Sequence, residues 1–275
     1  MIIANQYVPT RAFAGMGITL FIILAVAFGP VFMSHGPNEI VGDTWDAPSL
    51  FYPLGLDNLG RDMLARLLDG GRTTIGLALA ITAISFLIGV SSGIAAAVAG
   101  GWLDAVLSRL VDLLMSLPQL VLALIILTAL GTSIPVLIGT IAILESTRVF
   151  RITRSVAMGV AALDFVQVAR LRGEGLWWII RREVLVNSLP PIIAEFGLRF
   201  CFAFQFIAAL SFLGLGIRPP NADWGSMVRD NAQAITYGVI APLIPAIAIA
   251  LLTIGVNLIA DWLISRNSPA VGEEQ

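Results

Sequence analysis

The residues able to do chemistry in this chain are few and unevenly placed. Residues 164–191, DFVQVARLRGEGLWWIIRREVLVNSLPP, hold Arg170, Arg172, Arg181 and Arg182 with Glu174 and Glu183, in a chain that is only 12% charged. A charge at the centre of a membrane helix costs roughly 2.5–3.5 kcal/mol on insertion scales, so a segment this charged between apolar runs sits at a membrane surface. Three more ionisable groups fall inside apolar runs: Glu145, three residues before Arg148, and Glu195 with Arg199, one helical turn apart with the acid first. Such groups usually face a bundle interior or a wet cavity and mark solute pathways. Glu145, Glu195 and Arg199 are therefore the candidates for a translocation path, although Glu195 and Arg199 also read as a self-neutralised pair near a helix end.

Chemistry of other kinds has no foothold. Gly214 and Gly216 are not followed by Lys-Ser/Thr, and no lysine occurs at all, so there is no phosphate-binding loop. No His-Glu-x-x-His is present. The single cysteine, Cys201, excludes an internal disulfide, and the single histidine, His35, reads as a solvated loop residue. The chain is not expected to be an enzyme, to hold a metal or to bind a cofactor.

The elements that must position these residues are membrane spans. The chain has 275 residues, 57% of them hydrophobic, with a mean hydropathy of +0.90; soluble domains run about 45–50% apolar and about 25% charged. After a short leader, residues 12–33 form a first span of about the length a bilayer needs, kept as a signal anchor. Residues 34–72 are polar and acid-rich, which suits the outer face. Residues 73–100, rich in Gly, Ala and Ser, read as a closely packed second span. Residues 107–130 form a third, entered through Arg109 and Asp112 and kinked at Pro118, and residues 136–149 begin a fourth that continues past Arg148, Arg151 and Arg154 into the cytoplasm. Residues 192–215 and 238–264 complete six spans, joined by an outer loop at 217–237, with both termini cytoplasmic. The fold class is all-α, in three parts: residues 1–33, an extracytoplasmic loop 34–72, and a five-span core 73–275 carrying the cytoplasmic loop 164–191.

Within that loop the pattern predicts helix, turn, helix. A short helix over 165–171 is broken by Gly173 and Gly175, and a second resumes over 176–188 with Trp177, Ile180 and Val184 on its apolar face. Pro190 and Pro191 would then open the next helix, where a missing N–H is harmless. A folded amphipathic loop of this kind reads as a docking surface.

At these residues the sequence resembles the inner-membrane permease subunit of binding-protein-dependent ABC importers, of the dipeptide, oligopeptide and nickel group, as its second permease. That family's cytoplasmic loop has the form E-A-A, three residues, G, nine residues, I, x, L-P. The matching positions are Gln167, Val168 and Ala169, then Gly173, then Val184 to Val186. Pro53 to Asp62 (PLGLDNLGRD), Arg109 to Asp112 (RLVD), Ser211 to Gly216 (SFLGLG), and Pro219-Pro220 followed by Trp224 to Met227 (WGSM) extend the resemblance along nearly the whole chain. Gln167 replaces the family's glutamate, Val168 its first alanine and Val186 its proline.

The resemblance implies an ATPase-coupling loop built on Gln167, Val168, Ala169, Gly173, Trp177, Ile180 and Val184. It also implies a second homologous permease, two cytoplasmic subunits that bind ATP and Mg²⁺, and an extracytoplasmic solute-binding protein. The location would be a bacterial or archaeal plasma membrane, and the solute most often a di- or oligopeptide. Nickel or opine-type solutes fit the same architecture. A self-sufficient secondary transporter is the reading from another class; it predicts two repeated halves with broken helices and midplane ion sites, and no repeat is visible here.

Overall fold

The computed structural model describes residues 9–267; most of the polar leader and the tail after residue 267 lie outside them. The described residues form helices α1 (Thr10–Phe28), α2 (Met63–Ala99), α3 (Gly101–Met115), α4 (Gln119–Leu130), α5 (Ile134–Ala161), α6 (Asp164–Leu171), α7 (Leu176–Trp178), α8 (Leu185–Phe212), α9 (Trp224–Asp230) and α10 (Leu243–Asn267). Short 3₁₀ turns follow α1 (Gly29–Phe32) and α9 (Ala232–Tyr237), and a π-helical turn, Ile179–Val184, joins α7 to α8. The β structure among the described residues is two isolated bridges, Ile40 with Arg61 and Leu56 with Asp62.

Among the described residues, four helical runs are long and apolar enough to cross a membrane: Thr10–Phe32, Met63–Ala99, Leu176–Phe212 and Leu243–Ser265. The expected third span is not one straight helix. It breaks before Pro118, and α3 and α4 meet at 87°, so that pair counts as a fifth run only if both halves belong to one span. Proline accounts for the break, because it lacks an N–H and forces the residue before it away from helical geometry. The expected fourth span falls on the 28-residue α5, continuous through Arg148, Arg151 and Arg154 as the pattern predicts, but α5 is not among the runs apolar enough to cross a membrane, so the described residues give four or five such runs and not six. The second span starts ten residues earlier than expected, at Met63, because Arg66 and Arg72 find partners that let the helix extend through them.

The chain divides into two compact units, residues up to 78 with 204–266, and 79–203; α2 and α8 each contribute to both. In the first unit α1 and α10 approach at glycines: a Cβ on Gly15 would lie 2.7 Å from Leu258 Cβ, and one on Gly255 would lie 2.5 Å from Thr19 Oγ1. The polar segment after α1 is folded and tied down. Asp57, 1% exposed, accepts the backbone N–H groups of Leu59 and Arg61 and the guanidinium N–H of Arg61 at 2.7 Å, and pairs with Arg66 at 3.1 Å. Asn231 Oδ1 accepts from Trp45 Nε1–H and from the N–H of Asn58. The buried Trp224 donates Nε1–H to the Leu67 carbonyl and stacks edge-on against Phe204. Burial of charge is tolerable only with such partners, and here they hold an otherwise irregular loop in place.

In the second unit α2 lies against α5 through small residues. A Cβ on Gly89 would lie 2.6 Å from Val149 Cβ, and one on Gly93 would lie 2.9 Å from the Phe150 carbonyl. That is the close helix approach that small residues permit in membranes.

Candidate coupling loop and buried ion cluster

The charged interlude is held by an apolar cluster, not by its charges. Val166 and Ala169 of α6, Ile179 and Val184 of the π turn, Ile94 and Val98 of α2 and Ala157 of α5 pack together, with Trp178 and Ile180 half-buried at the edge. Burying a side chain such as Val or Ile stabilises by roughly 1.5–3 kcal/mol, so this set fixes the loop against two long helices. The opposite side is bare: Phe165, Gln167, Val168, Leu171, Leu176 and Trp177 are exposed, Leu171 at 88% and Trp177 at 71%.

Between the helices the chain reverses at Gly173, which has φ +81°, the left-handed region that glycine enters without a Cβ penalty. Its N–H donates to the Arg170 carbonyl, and the next N–H, of Glu174, reaches back to Ala169 at 3.2 Å. Open space surrounds the position where a Cβ would stand.

Two expectations about the second helix fail. Its buried apolar residues are Ile179 and Val184, five apart, where a 3.6-residue period predicts Trp177, Ile180 and Val184. The π turn absorbs an extra residue, so i and i+5 share a face and Trp177 swings outward. Pro190 and Pro191 do not open a helix; they lie inside α8, which follows the π turn without interruption. Prolines here withdraw two N–H donors from a helix interior, a cost packing must offset.

The three intramembrane candidates come together. Arg199 of α8 donates Nε–H to Glu195 Oε1 at 2.5 Å, and its Nη1 stands 3.8 Å from Glu145 Oε2 on α5. Glu145 therefore takes Arg199 as its near partner, where the sequence suggested Arg148, and the Glu195–Arg199 pair is shared with a second acid. Glu145 Oε2 and Arg199 Nη1 are both buried and make no hydrogen bond. The Arg199 guanidinium also lies 4.8 Å from the Phe202 ring centroid, with that of Arg148 at 5.7 Å from the same ring. Such placements add attraction where water is scarce.

A second set of ion pairs escaped sequence reasoning. Arg154 donates to Asp104 through Nε at 2.5 Å and Nη2 at 2.6 Å, and Arg151 donates to Asp112 at 2.8 Å, tying α5 to α3. The i,i+3 spacing of Arg148, Arg151 and Arg154 was the available signal, but it carries no information about which helix supplies the acids.

Similarity to known proteins follows this geometry. Residues 85–273 match the profile of the family described as "Binding-protein-dependent transport system inner membrane component". The chain is 33% identical over 259 residues to "Probable D,D-dipeptide transport system permease protein DdpC" of Escherichia coli (strain K12), covering 94% of this chain and 87% of that protein. It is 32% identical over 247 residues to the dipeptide transport system permease protein DppC of Alkalihalophilus pseudofirmus, covering 90% and 81%. In fold it resembles a chain of the crystal structure of an amino acid ABC transporter with histidines, with a TM-score of 0.55 and 22% identity, over 73% of this chain and 94% of that one.

Proposed function

Because this chain belongs to the family of binding-protein-dependent transport system inner membrane components, we infer that α6, the Gly173 turn and α7 couple it to an ATPase and that its solutes are di- or oligopeptides. It is a membrane-embedded permease subunit of an ABC importer, a transport component and not an enzyme. The peptide assignment rests on the names of its relatives, which are dipeptide permeases over almost the whole of their length.

The observation that carries the coupling reading is the two-sided character of the loop. Val166, Ala169, Ile179 and Val184 anchor it on α2 and α5, while Val168, Leu171, Leu176 and Trp177 project an apolar surface that no described residue covers. Exposed apolar patches of this kind, flanked by Arg170 and Arg172, mark protein–protein contacts. The loop would face the cytoplasm, where its arginines belong, and residues 34–62 the outer side. Two ATP-hydrolysing subunits holding ATP and Mg²⁺ would seat on this loop and its counterpart in a second permease, and an extracytoplasmic binding protein would deliver the solute. Movement of the loop would pass through the shared apolar cluster to α2 and α5, and so to Glu145, Glu195 and Arg199 on the path.

Purification in mild detergent, followed by reconstitution with the binding protein, tests this reading. ATPase subunits should co-purify, and uptake of a labelled dipeptide should require both ATP and the loaded binding protein. Uptake driven by an ion gradient without ATP would assign the chain to the secondary transporters instead.

A further inference from the structure

The ion pairs between α5 and α3 form an antiparallel ladder with one rung left open. Arg154 pairs with Asp104 and Arg151 with Asp112. The next arginine up the helix, Arg148, would reach the end of α3, but α3 stops at Met115 and the chain turns through 87°. At that bend Met115, Ser116, Leu117, Pro118 and Gln119 line a cavity of 290 Å³ with Arg148 as the sixth wall. Among the described residues no carboxylate lies within ion-pair distance of Arg148, and its guanidinium stands 5.7 Å from the Phe202 ring centroid.

Glu145, three residues away on α5, is the acid whose charge acts on Arg148, and the two form no salt bridge, so the guanidinium keeps donors to offer. A guanidinium presents its donors in a planar fork matched to carboxylate oxygens. Gln119, which also lines the cavity, donates one amide hydrogen to the Leu144 carbonyl at 3.0 Å and so has a second to offer. The cavity sits at the low end of ligand pocket sizes, roughly 300–1,000 Å³. It has room for a head group, not for a whole peptide.

We propose that Arg148 and the cavity at the α3–α4 bend form an oxyanion site on the translocation path, taking the carboxylate of the transported solute. The site deepens the permease reading and rests on it for the identity of the solute. It lies beside Phe202, whose ring is shared with Arg199, so a carboxylate at Arg148 would stand next to the Glu145–Arg199–Glu195 cluster.

The test uses the assembled importer in phosphatidylcholine nanodiscs, with phenylglyoxal modification of each arginine followed by mass spectrometry. Arg148 should react without ligand, and dialanine should slow that reaction roughly tenfold while dialanine amide, which lacks the carboxylate, does not. Arg151 and Arg154, held by Asp112 and Asp104, should respond to neither. In uptake, Arg148→Gln should lose roughly tenfold at saturating binding protein, and Arg148→Lys should retain more because it keeps the charge. An unreactive Arg148, or equal protection by dialanine and its amide, overturns the site. Protection in phosphatidylglycerol nanodiscs with no dipeptide present overturns it too, by giving the cavity to a lipid phosphate. Protection by dialanine in an importer that takes up no dipeptide keeps the oxyanion site and overturns the peptide reading.

Discussion

Arg199 Nη1 and Glu145 Oε2 face each other at 3.8 Å from α8 and α5, and neither atom has a hydrogen-bond partner. The distance is that of an ion pair too long to be a hydrogen bond, so the arginine's committed partner is Glu195, one turn away on its own helix. A small approach of α5 toward this part of α8 would let Arg199 grip both acids.

Removing the shared cation should therefore be the most damaging change at the cluster. Arg199→Met takes the shared cation from the buried Glu145 and the partly buried Glu195, and breaking a buried pair in this way typically costs about 3–5 kcal/mol. Glu145→Gln keeps the shape and removes one charge, so its cost should be clearly smaller. Thermal unfolding of the detergent-solubilised complex ranks the two; an Arg199→Met variant as stable as the parent would show that these groups are solvated.

Gly173 separates backbone strain from contact. Its φ of +81° penalises any residue with a Cβ, yet nothing stands within 4 Å of where that atom would be. Gly173→Val should lose uptake while membrane abundance stays near normal, since left-handed geometry costs an ordinary residue about 1–2 kcal/mol. Gly173→Asn, which tolerates that geometry, should retain most of the function. Equal uptake by Val and Asn variants would mean that the turn does not direct the second helix.

The exposed and buried residues of the loop should fail differently. Trp177→Ala removes exposed surface only, so the permease should fold normally and lose its ATPase subunits during purification. Ala169→Leu forces extra methylenes into the cluster around Val166 and Ile179 and should destabilise by about 1–3 kcal/mol. Gln167→Glu is exposed, sits three residues before Arg170, and should be neutral or mildly improving for ATPase coupling. Co-purification yield and binding-protein-stimulated ATP hydrolysis read all three.

Orientation is open to chemical labelling. In a Cys201→Ser background, single cysteines at Leu50 (99% exposed) or Tyr237 (72% exposed) should react with an impermeant thiol reagent in intact cells. A cysteine at Leu171 should react only after permeabilisation. Labelling of Leu171→Cys from outside would reverse the assignment of the loop to the cytoplasm.

Asp57 anchors the segment before α2, accepting two backbone N–H groups and pairing with Arg61 and Arg66. Asp57→Ala strands the buried Arg66 and should cost about 3–5 kcal/mol, seen as faster proteolysis between residues 34 and 62. Asp57→Asn, able to accept the N–H bonds but not to neutralise the arginines, should fall between. A protease pattern unchanged by either substitution would show that the ion pairs do not hold the segment.

What the sequence determined by itself was everything that depends on local composition. Long apolar runs commit the chain to membrane helices, since a bilayer offers backbone polar groups no other partner. Gly173 and Gly175 mark a break that the structure places between α6 and α7, and Pro118 marks the bend between α3 and α4. The order of motifs from Pro53 to Met227 was enough to recognise the family. Tertiary structure decided what a period cannot carry. Ile179 and Val184 share a face because a π turn takes up one more residue to set both against Val166, Ala169 and Ala157, and a helical wheel drawn at 3.6 residues exposes one of them. Pro190 and Pro191 stay within α8 because the helix continues from that packed turn. Arg199 meets Glu145, and Arg154 meets Asp104, across 54 and 50 residues of chain. Spacing in sequence sets which side chains share a helix face, but only the packing of one helix on another sets which charge stands opposite.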